Sequence, residues 1–196
     1  MSLSDLLSIK IILASKSPRR KQLLEQMGFD VVVEPIDIKE SFPESIAVDE
    51  VAEFLAVKKS ENYNKSIEGN SILVTADTIV VVDNFILGKP KSVEEAKGFL
   101  RLLSSKTHKV ITGCCLKTNK TIKHFSQISN VKFKALSEDE IEYYVKLFKP
   151  FDKAGAYGIQ EWIGIIGIEC LQGDYYNVVG FPCNKFFEVL KEILEI

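Results

Sequence analysis

Cysteine is scarce in this chain and follows no pattern. Four stand among 196 residues, and none forms a C-x-x-C pair. Disulfide frameworks serve small domains that lack a core, and zinc sites need clustered thiolates or imidazoles. Histidine is scarcer still, with His108 and His124 alone, and neither has a carboxylate partner nearby in sequence. Both readings therefore fall away, leaving free thiols in a reducing cytoplasm. Charge of one sign is missing too. The net charge is -2, so no basic field draws nucleic acid. Lys109, Lys117, Lys120, Lys123, Lys132 and Lys134 gather in one hairpin-like region, where a solvated strand face accounts for them more simply than a nucleic-acid groove. No apolar run approaches the roughly 20 residues of a membrane helix. The start, Met1-Ser2-Leu3-Ser4-Asp5, lacks the basic flank of a signal peptide. The expectation is a cytoplasmic protein without nucleic-acid or membrane partners. The P-loop, the G-x-G-x-x-G turn and the G-x-S-x-G elbow are absent as well.

What is present suits one sizeable domain. Hydrophobic residues make up 46% and charged residues 27%, an ordinary globular balance. Strand and helix patterns alternate, which indicates an α/β fold. Residues 9–13 read as a buried strand, and residues 18–27 as a helix opened by Ser17 and Pro18 and closed by Gly28. A β-rich run follows at 29–35, then an acidic loop, Asp37-Ile38-Lys39-Glu40, and a helix over 44–63. Residues 71–76 form a strand ending at Asp77, with a second run at 78–82 and a turn at Asp83-Asn84 before 85–87. Ser92 and Glu95 form a capping box for a helix over 93–103. Residues 109–116 and 121–133 pair as a long hairpin, and Ser137 caps a helix over 138–147. A glycine-rich passage covers 150–180, and an amphipathic helix 182–194 ends the chain. The long hairpin sits mid-chain between helices, so any two lobes are interleaved. No internal repeat or linker divides the chain.

The opening Leu13-Ala14-Ser15-Lys16-Ser17-Pro18-Arg19-Arg20 is the strongest local signal. It sets two arginines in a helix's first turn, where the dipole disfavours cations. An anion held between the helix N-terminus and the guanidinium groups resolves the conflict, and phosphate fits both. Asp77 closes a buried strand, where open α/β sheets place ligand sites, and can bind a cation or accept a proton. Glu40, with Asp37 nearby, offers a second carboxylate for a magnesium ion. Lys58 and Lys59 follow on one helix, one directed to the site and the other to water. Lys89, between Gly88 and Pro90, is a candidate phosphate contact. In Asp152-Lys153-Ala154-Gly155-Ala156-Tyr157-Gly158-Ile159-Gln160, small residues allow close approach of a ligand, and the Gln160 amide can read a base edge. Gly173 to Pro182 reads as structural support, with Asn177 bonded to backbone.

Taken together, these motifs resemble the Maf family of nucleoside triphosphate pyrophosphatases. They are L-A-S-x-S-P-R-R at 13–20, A-D-T at 76–78, K-P at 89–90, T-H-x-V-x-T at 107–112, D-K-A-G-A-Y-G-I-Q at 152–160 and Y-x-N-V-V-G-x-P at 175–182. The resemblance implies one Maf-like domain over 1–196, a long twisted mixed sheet flanked by helices, and a cleft between two interleaved lobes, as in inosine triphosphatases. It implies Asp77 as proton acceptor, with Glu40, Lys59 and Lys89 as further catalytic residues. It assigns Ser15, Ser17 and Arg20 to a phosphate-facing turn, and Arg19, Thr78 and Gln160 to specificity. It implies Mg²⁺ or Mn²⁺ on Glu40 and Asp77, a nucleoside triphosphate substrate and a homodimer. The unbroken 152–160 block resembles the branch that acts on dTTP and UTP, clearing non-canonical or excess nucleotides. Two alternatives stand beside it: a nucleotide-binding regulator of septum formation without enzymatic activity, and an inosine or xanthosine triphosphate pyrophosphatase. The chain departs from many relatives in carrying Glu161-Trp162 after the block, where they have glycine, and Lys39 where some have an acid.

Overall fold

The computed structural model describes residues 2–195. In chain order the elements are α1 (Leu3–Leu7), β1 (Lys10–Leu13), α2 (Pro18–Gln26), β2 (Asp30–Val33), α3 (Val51–Glu61), β3 (Ser71–Val82), β4 (Phe85–Leu87), α4 (Val93–Leu103), β5 (Thr107–Lys117), β6 (Ile122–Phe133), α5 (Glu138–Phe148), α6 (Trp162–Gly167), β7 (Ile168–Gln172), α7 (Tyr175–Val179) and α8 (Cys183–Ile193). Short 3-10 turns lie at Val48–Glu50 and Ala154–Ala156. The strands form a mixed seven-stranded sheet in the order β2-β1-β3-β5-β6-β7, with β4 paired to β3. The fold is α/β, as the alternation indicates. Among the described residues no helix is long and apolar enough to cross a membrane.

Helix starts follow the capping chemistry. Ser17 Oγ accepts the Arg20 N–H with Pro18 in the first turn, and Ser137 and Glu140 complete a reciprocal box. At α4 the Ser92 side chain caps Glu95, but the Glu95 carboxylate reaches the Lys91 N–H at 2.6 Å instead of closing the box. The α1 helix, capped by Ser2 and Asp5, spans five residues and is too short to show a period in the sequence. The helix expected over 44–63 is shorter. Residues 44–47 turn behind Pro43, whose carbonyl accepts the Ile46 N–H at 3.2 Å, and helix proper begins at Val51. The break expected at Asp77 is absent, and β3 runs unbroken from Ser71 to Val82. The glycine-rich passage holds α6, β7 and α7, each too short to show a period.

By its contacts the chain divides into two compact units, each drawn from separate stretches. The first comprises Met1–Asp77, Thr112–Gln127 and Gly180–Ile196. In it β1 runs parallel to both neighbours, with Leu13 opposite Val33 on β2 and Val74 on β3. The α3 helix buries Val51, Ala52, Leu55, Ala56, Lys59 and Ser60. It lies flush on β5 at Gly113, where a Cβ would fall 2.2 Å from the Glu53 nitrogen and 2.3 Å from the Ala52 carbonyl. His124 does find a carboxylate, Glu53, at 2.6 Å on the neighbouring surface.

The second unit comprises Thr78–Ile111 and Ile128–Val179. Its core packs Val80, Val82, Leu100, Leu103, Val131, Phe133, Ile141, Tyr144, Tyr157 and Ile163. Asn177 supports it as expected, donating to Val110 O at 3.0 Å and Ser129 Oγ at 2.9 Å. His108 is 2% exposed, stacks on Phe133 and bonds the Tyr157 hydroxyl at 2.7 Å.

Two outcomes follow. Gly113→Ala forces α3 off the sheet and lowers stability by roughly 1–3 kcal/mol, read as a fall in Tm. Burial pushes the His108 imidazole down to about 4. The unfolded chain protonates this residue near its ordinary value and the folded chain only near pH 4. The unfolded state thus holds more protons between those limits, and stability is lost as pH falls through that window, by roughly 3 kcal/mol in all. Denaturant titrations at pH 7 and pH 4.5 check this, with His108→Gln expected to flatten the difference.

Candidate active site

The carboxyl end of β1 and the adjoining stretch of β3 gather the first group of expected residues. After Leu13 the chain leaves the sheet through Ser15 and Ser17 into α2, while β3 continues three residues beyond Val74 to Asp77. Asp77 is 9% exposed and Lys59 8%. The Lys59 ammonium donates to Asp77 Oδ1 in a short bond and to Glu40 Oε1 at 2.8 Å. One cation thus joins two carboxylates that lie far apart in sequence. Burial raises the pKa of Asp77, and the Lys59 and Arg20 charges hold that rise back.

Lys59 owes its place to the seating of α3. It lies on the helix's buried stripe, one turn after Leu55. Thr75 Oγ1 donates to Ala56 O at 2.6 Å and pins the helix to β3 two residues before Asp77. Lys58, about 100° away around the helix, does not face water alone. Its ammonium donates to Lys39 O at 3.0 Å and Ser41 O at 2.7 Å, on both sides of Glu40. Lys16 similarly holds Asp37 at 2.6 Å, so Asp37 is not turned onto Lys59. Lys58 bridges the acidic loop on both sides of Glu40, and the exposed Lys16–Asp37 pair adds little to it. Adjacent lysines closing a helix after an acidic loop were the available signal for Lys58.

The two arginines divide. Arg20 is 8% exposed and its guanidinium meets protein acceptors: Nη1 donates to Ala76 O at 2.8 Å and Ser15 Oγ at 3.1 Å, and Nε to Gly180 O at 3.0 Å. It ties the turn to the stretch of β3 that carries Asp77. Arg19 remains half-buried in the first turn of α2. Ser15 Oγ also accepts the Ser17 N–H at 3.2 Å. Ser15, Ser17, Arg20, Glu40, Lys59 and Asp77 are therefore brought together within the first unit.

Thr78, Lys89 and Gln160 belong to the second unit. Thr78 follows Asp77 on β3 and is half-buried, whereas Lys89 and Gln160 are exposed. The Gly88 carbonyl accepts the Gly155 N–H at 3.1 Å, which ties the Lys89 segment to the 152–160 block. Glu161, where many relatives have glycine, bonds Lys153 and Tyr144. Among the described residues no cluster of three or more His, Cys, Asp or Glu side chains forms a metal cage.

Known proteins match the chain along nearly its whole length. A dTTP/UTP pyrophosphatase of Bacteroides thetaiotaomicron is 46% identical over 192 residues, 97% of this chain and 100% of that protein. Proteins of the same description from Parabacteroides distasonis and Porphyromonas gingivalis are 46% and 44% identical, covering 96% and 98% of this chain and 98% of each relative. The solved structure of the Staphylococcus aureus Ham1 protein covers 95% of this chain and 98% of its own at 16% identity. Its TM-score is 0.47, too slight a likeness to carry an argument. The pattern of the family described as Maf-like protein matches residues 10–193, which takes in both the Lys59 constellation and the 152–160 block, and so this chain belongs to the Maf family.

Proposed function

We propose that this protein is a nucleoside triphosphate pyrophosphatase that hydrolyses the α–β phosphate bond of dTTP and UTP, releasing the nucleoside monophosphate and pyrophosphate. The observation that carries the reading is the buried Asp77, its pKa raised by burial, held by Lys59 beside Glu40 where β3 passes the carboxyl end of β1. The names of the relatives supply the substrate.

Asp77 accepts the proton of the attacking water as its oxygen bonds to the α-phosphorus, and the bond to the bridging oxygen breaks. Pyrophosphate leaves with the electron pair of that bond. A carboxylate whose pKa lies above the ordinary range is a stronger base than a solvated one, and the neighbouring cations favour its charged form. Lys59 balances the charge of both acids and gives the leaving phosphates a cation to approach. Arg20 fixes the turn, Arg19 and Lys89 are assigned to phosphate charge, and Thr78 and Gln160 to the base. An amide that donates and accepts at once suits the 4-keto and N3–H edge of thymine or uracil, and mismatched bases leave its polar groups unpaired.

The residues fit a divalent cation. Glu40 and Asp77 present two hard oxygen donors already turned onto one positive charge, and magnesium binds through one or two carboxylates together with substrate phosphates. When bound, such an ion neutralises triphosphate charge and polarises the α-phosphoryl group. The four cysteines are free, which agrees with a cytoplasmic location. Sedimentation at micromolar concentration tests the homodimer that the family resemblance implies.

A panel of nucleoside triphosphates with Mg²⁺ or Mn²⁺, scored for pyrophosphate and monophosphate, tests the reading. dTTP and UTP are expected to lead, and release of inorganic phosphate from the γ-position would overturn it. Asp77→Asn is expected to lower kcat by at least about 10²-fold with the fold intact.

A further inference from the structure

The turn that carries Gln160 is held by a carboxylate that the proposed reaction leaves unused. The Glu161 N–H donates to Gly158 O at 3.0 Å, closing a four-residue turn with Gln160 exposed on it. Behind this turn the Glu161 side chain is 22% exposed, and its Oε1 accepts from Lys153 Nζ at 3.0 Å. Its Oε2 accepts a short bond from the Tyr144 hydroxyl, and that hydroxyl in turn accepts the Gly158 N–H at 3.1 Å. The carboxylate therefore grips the start of the turn through Tyr144, while its own backbone closes the end.

Little space is left for the turn to shift. A Cβ on Gly158 would fall 2.8 Å from Glu161 Cδ. A Cβ on Gly164 would fall 1.9 Å from Ile159 O, so the α6 backbone rests directly on the turn. Glu161 is the N-cap residue of α6, and its carbonyl accepts the Gly164 and Ile165 N–H groups. Lys153, 9% exposed, needs a counter-charge, and Asp152 at 2.7 Å and Glu161 supply it. A solvated surface glutamate would show none of this.

The geometry points to Glu161 as a positioning residue for base recognition: through Lys153 and Tyr144 it fixes the 158–161 backbone from which the Gln160 amide reaches the base. This rests on the reading of Gln160 as the base-reading group. A glutamine amide presents a donor and an acceptor, and turned over it presents them in reverse. Thymine and uracil offer a keto oxygen and an N–H, whereas cytosine offers an amino group and a bare nitrogen. A wandering turn would let one amide accept both patterns, and a fixed one restricts it. Misplacement by about 1 Å is enough for losses of roughly 10²-fold.

The test compares kcat and KM for dTTP, dCTP and dGTP in the wild type, Glu161→Ala, Glu161→Gln, Tyr144→Phe, Gln160→Ala and the Gln160→Ala/Glu161→Ala double variant. Glu161→Ala and Tyr144→Phe are expected to lower the dTTP preference in kcat/KM by at least about tenfold. The change should lie mainly in the KM for dTTP. Glu161→Gln, which keeps an acceptor for Tyr144, recovers part of the preference. The double variant is no less selective than Gln160→Ala alone. A preference ratio is unmoved by loss of folded protein, so a purely structural role leaves it at the wild-type value. Tyr144→Phe removes a single hydroxyl and decides the matter should Glu161→Ala not fold. Wild-type preference in both variants, with preference lost in Gln160→Ala, overturns the role of Glu161 alone. Preference retained in Gln160→Ala overturns the base-reading role of Gln160, and this inference with it.

Discussion

A lysine ammonium buried between two carboxylates is the constraint around which the first unit is arranged. Taking charges out of water is unfavourable by several kcal/mol per ion, and only close, well-directed partners offset it. Lys59 meets Asp77 and Glu40, and Asp77 has Arg20 nearby as well. This pairing explains why β3 continues through an aspartate without a break. It also makes α3's position exacting. Thr75 bonded to Ala56, and a backbone approach at Gly113 that admits no side chain, hold the helix where Lys59 reaches the strand.

Adjacent residues of like charge do different work here, because a helix turns them about 100° apart. Lys58 and Lys59 illustrate it at the end of α3: one organises the loop that presents Glu40, and the other receives the Glu40 carboxylate. Arg19 and Arg20 repeat the division at the start of α2. The Arg20 guanidinium is directed to the Ala76 and Gly180 carbonyls and so braces β3 beside Asp77, a buried task that suits a planar fork with several donors. The helix dipole still opposes cations at this end, and bonding to carbonyls is one way a guanidinium there is satisfied.

The second unit relies on buried polar groups in another way. His108 and Tyr157 bond within an aromatic cluster, Asn177 ties α7 to β5 and β6, and Lys153, Glu161 and Tyr144 form a chain beneath the turn at 158–161. The His108 ring is held by one nitrogen only, its buried Nδ1 having no hydrogen-bond partner among the described residues. The Lys153–Glu161–Tyr144 chain holds the polar side of a turn whose Ile159 packs into the apolar core.

The α/β class, most strands and helices, and the capped starts of α2, α4 and α5 were legible in the sequence, because apolar periodicity and capping are local properties of the chain. Asp77 was legible in the A-D-T motif, and Glu40 and Lys59 as candidates through the acidic loop, the paired lysines and the family resemblance. Nothing local shows that a lysine would sit between those two acids, that Lys58 would bind the loop carbonyls, or that Arg20 would turn inward. Those outcomes depend on which helix face meets the sheet, and that is set by contacts between residues 18 to 160 positions apart. The same holds for β3 running through Asp77 and for Glu161 becoming a buried partner. The sequence by itself determined which groups were available and where each element begins. Only the tertiary structure decided which charges share a site, since burial changes the energy of a charge and no charge knows its burial until the chain has packed.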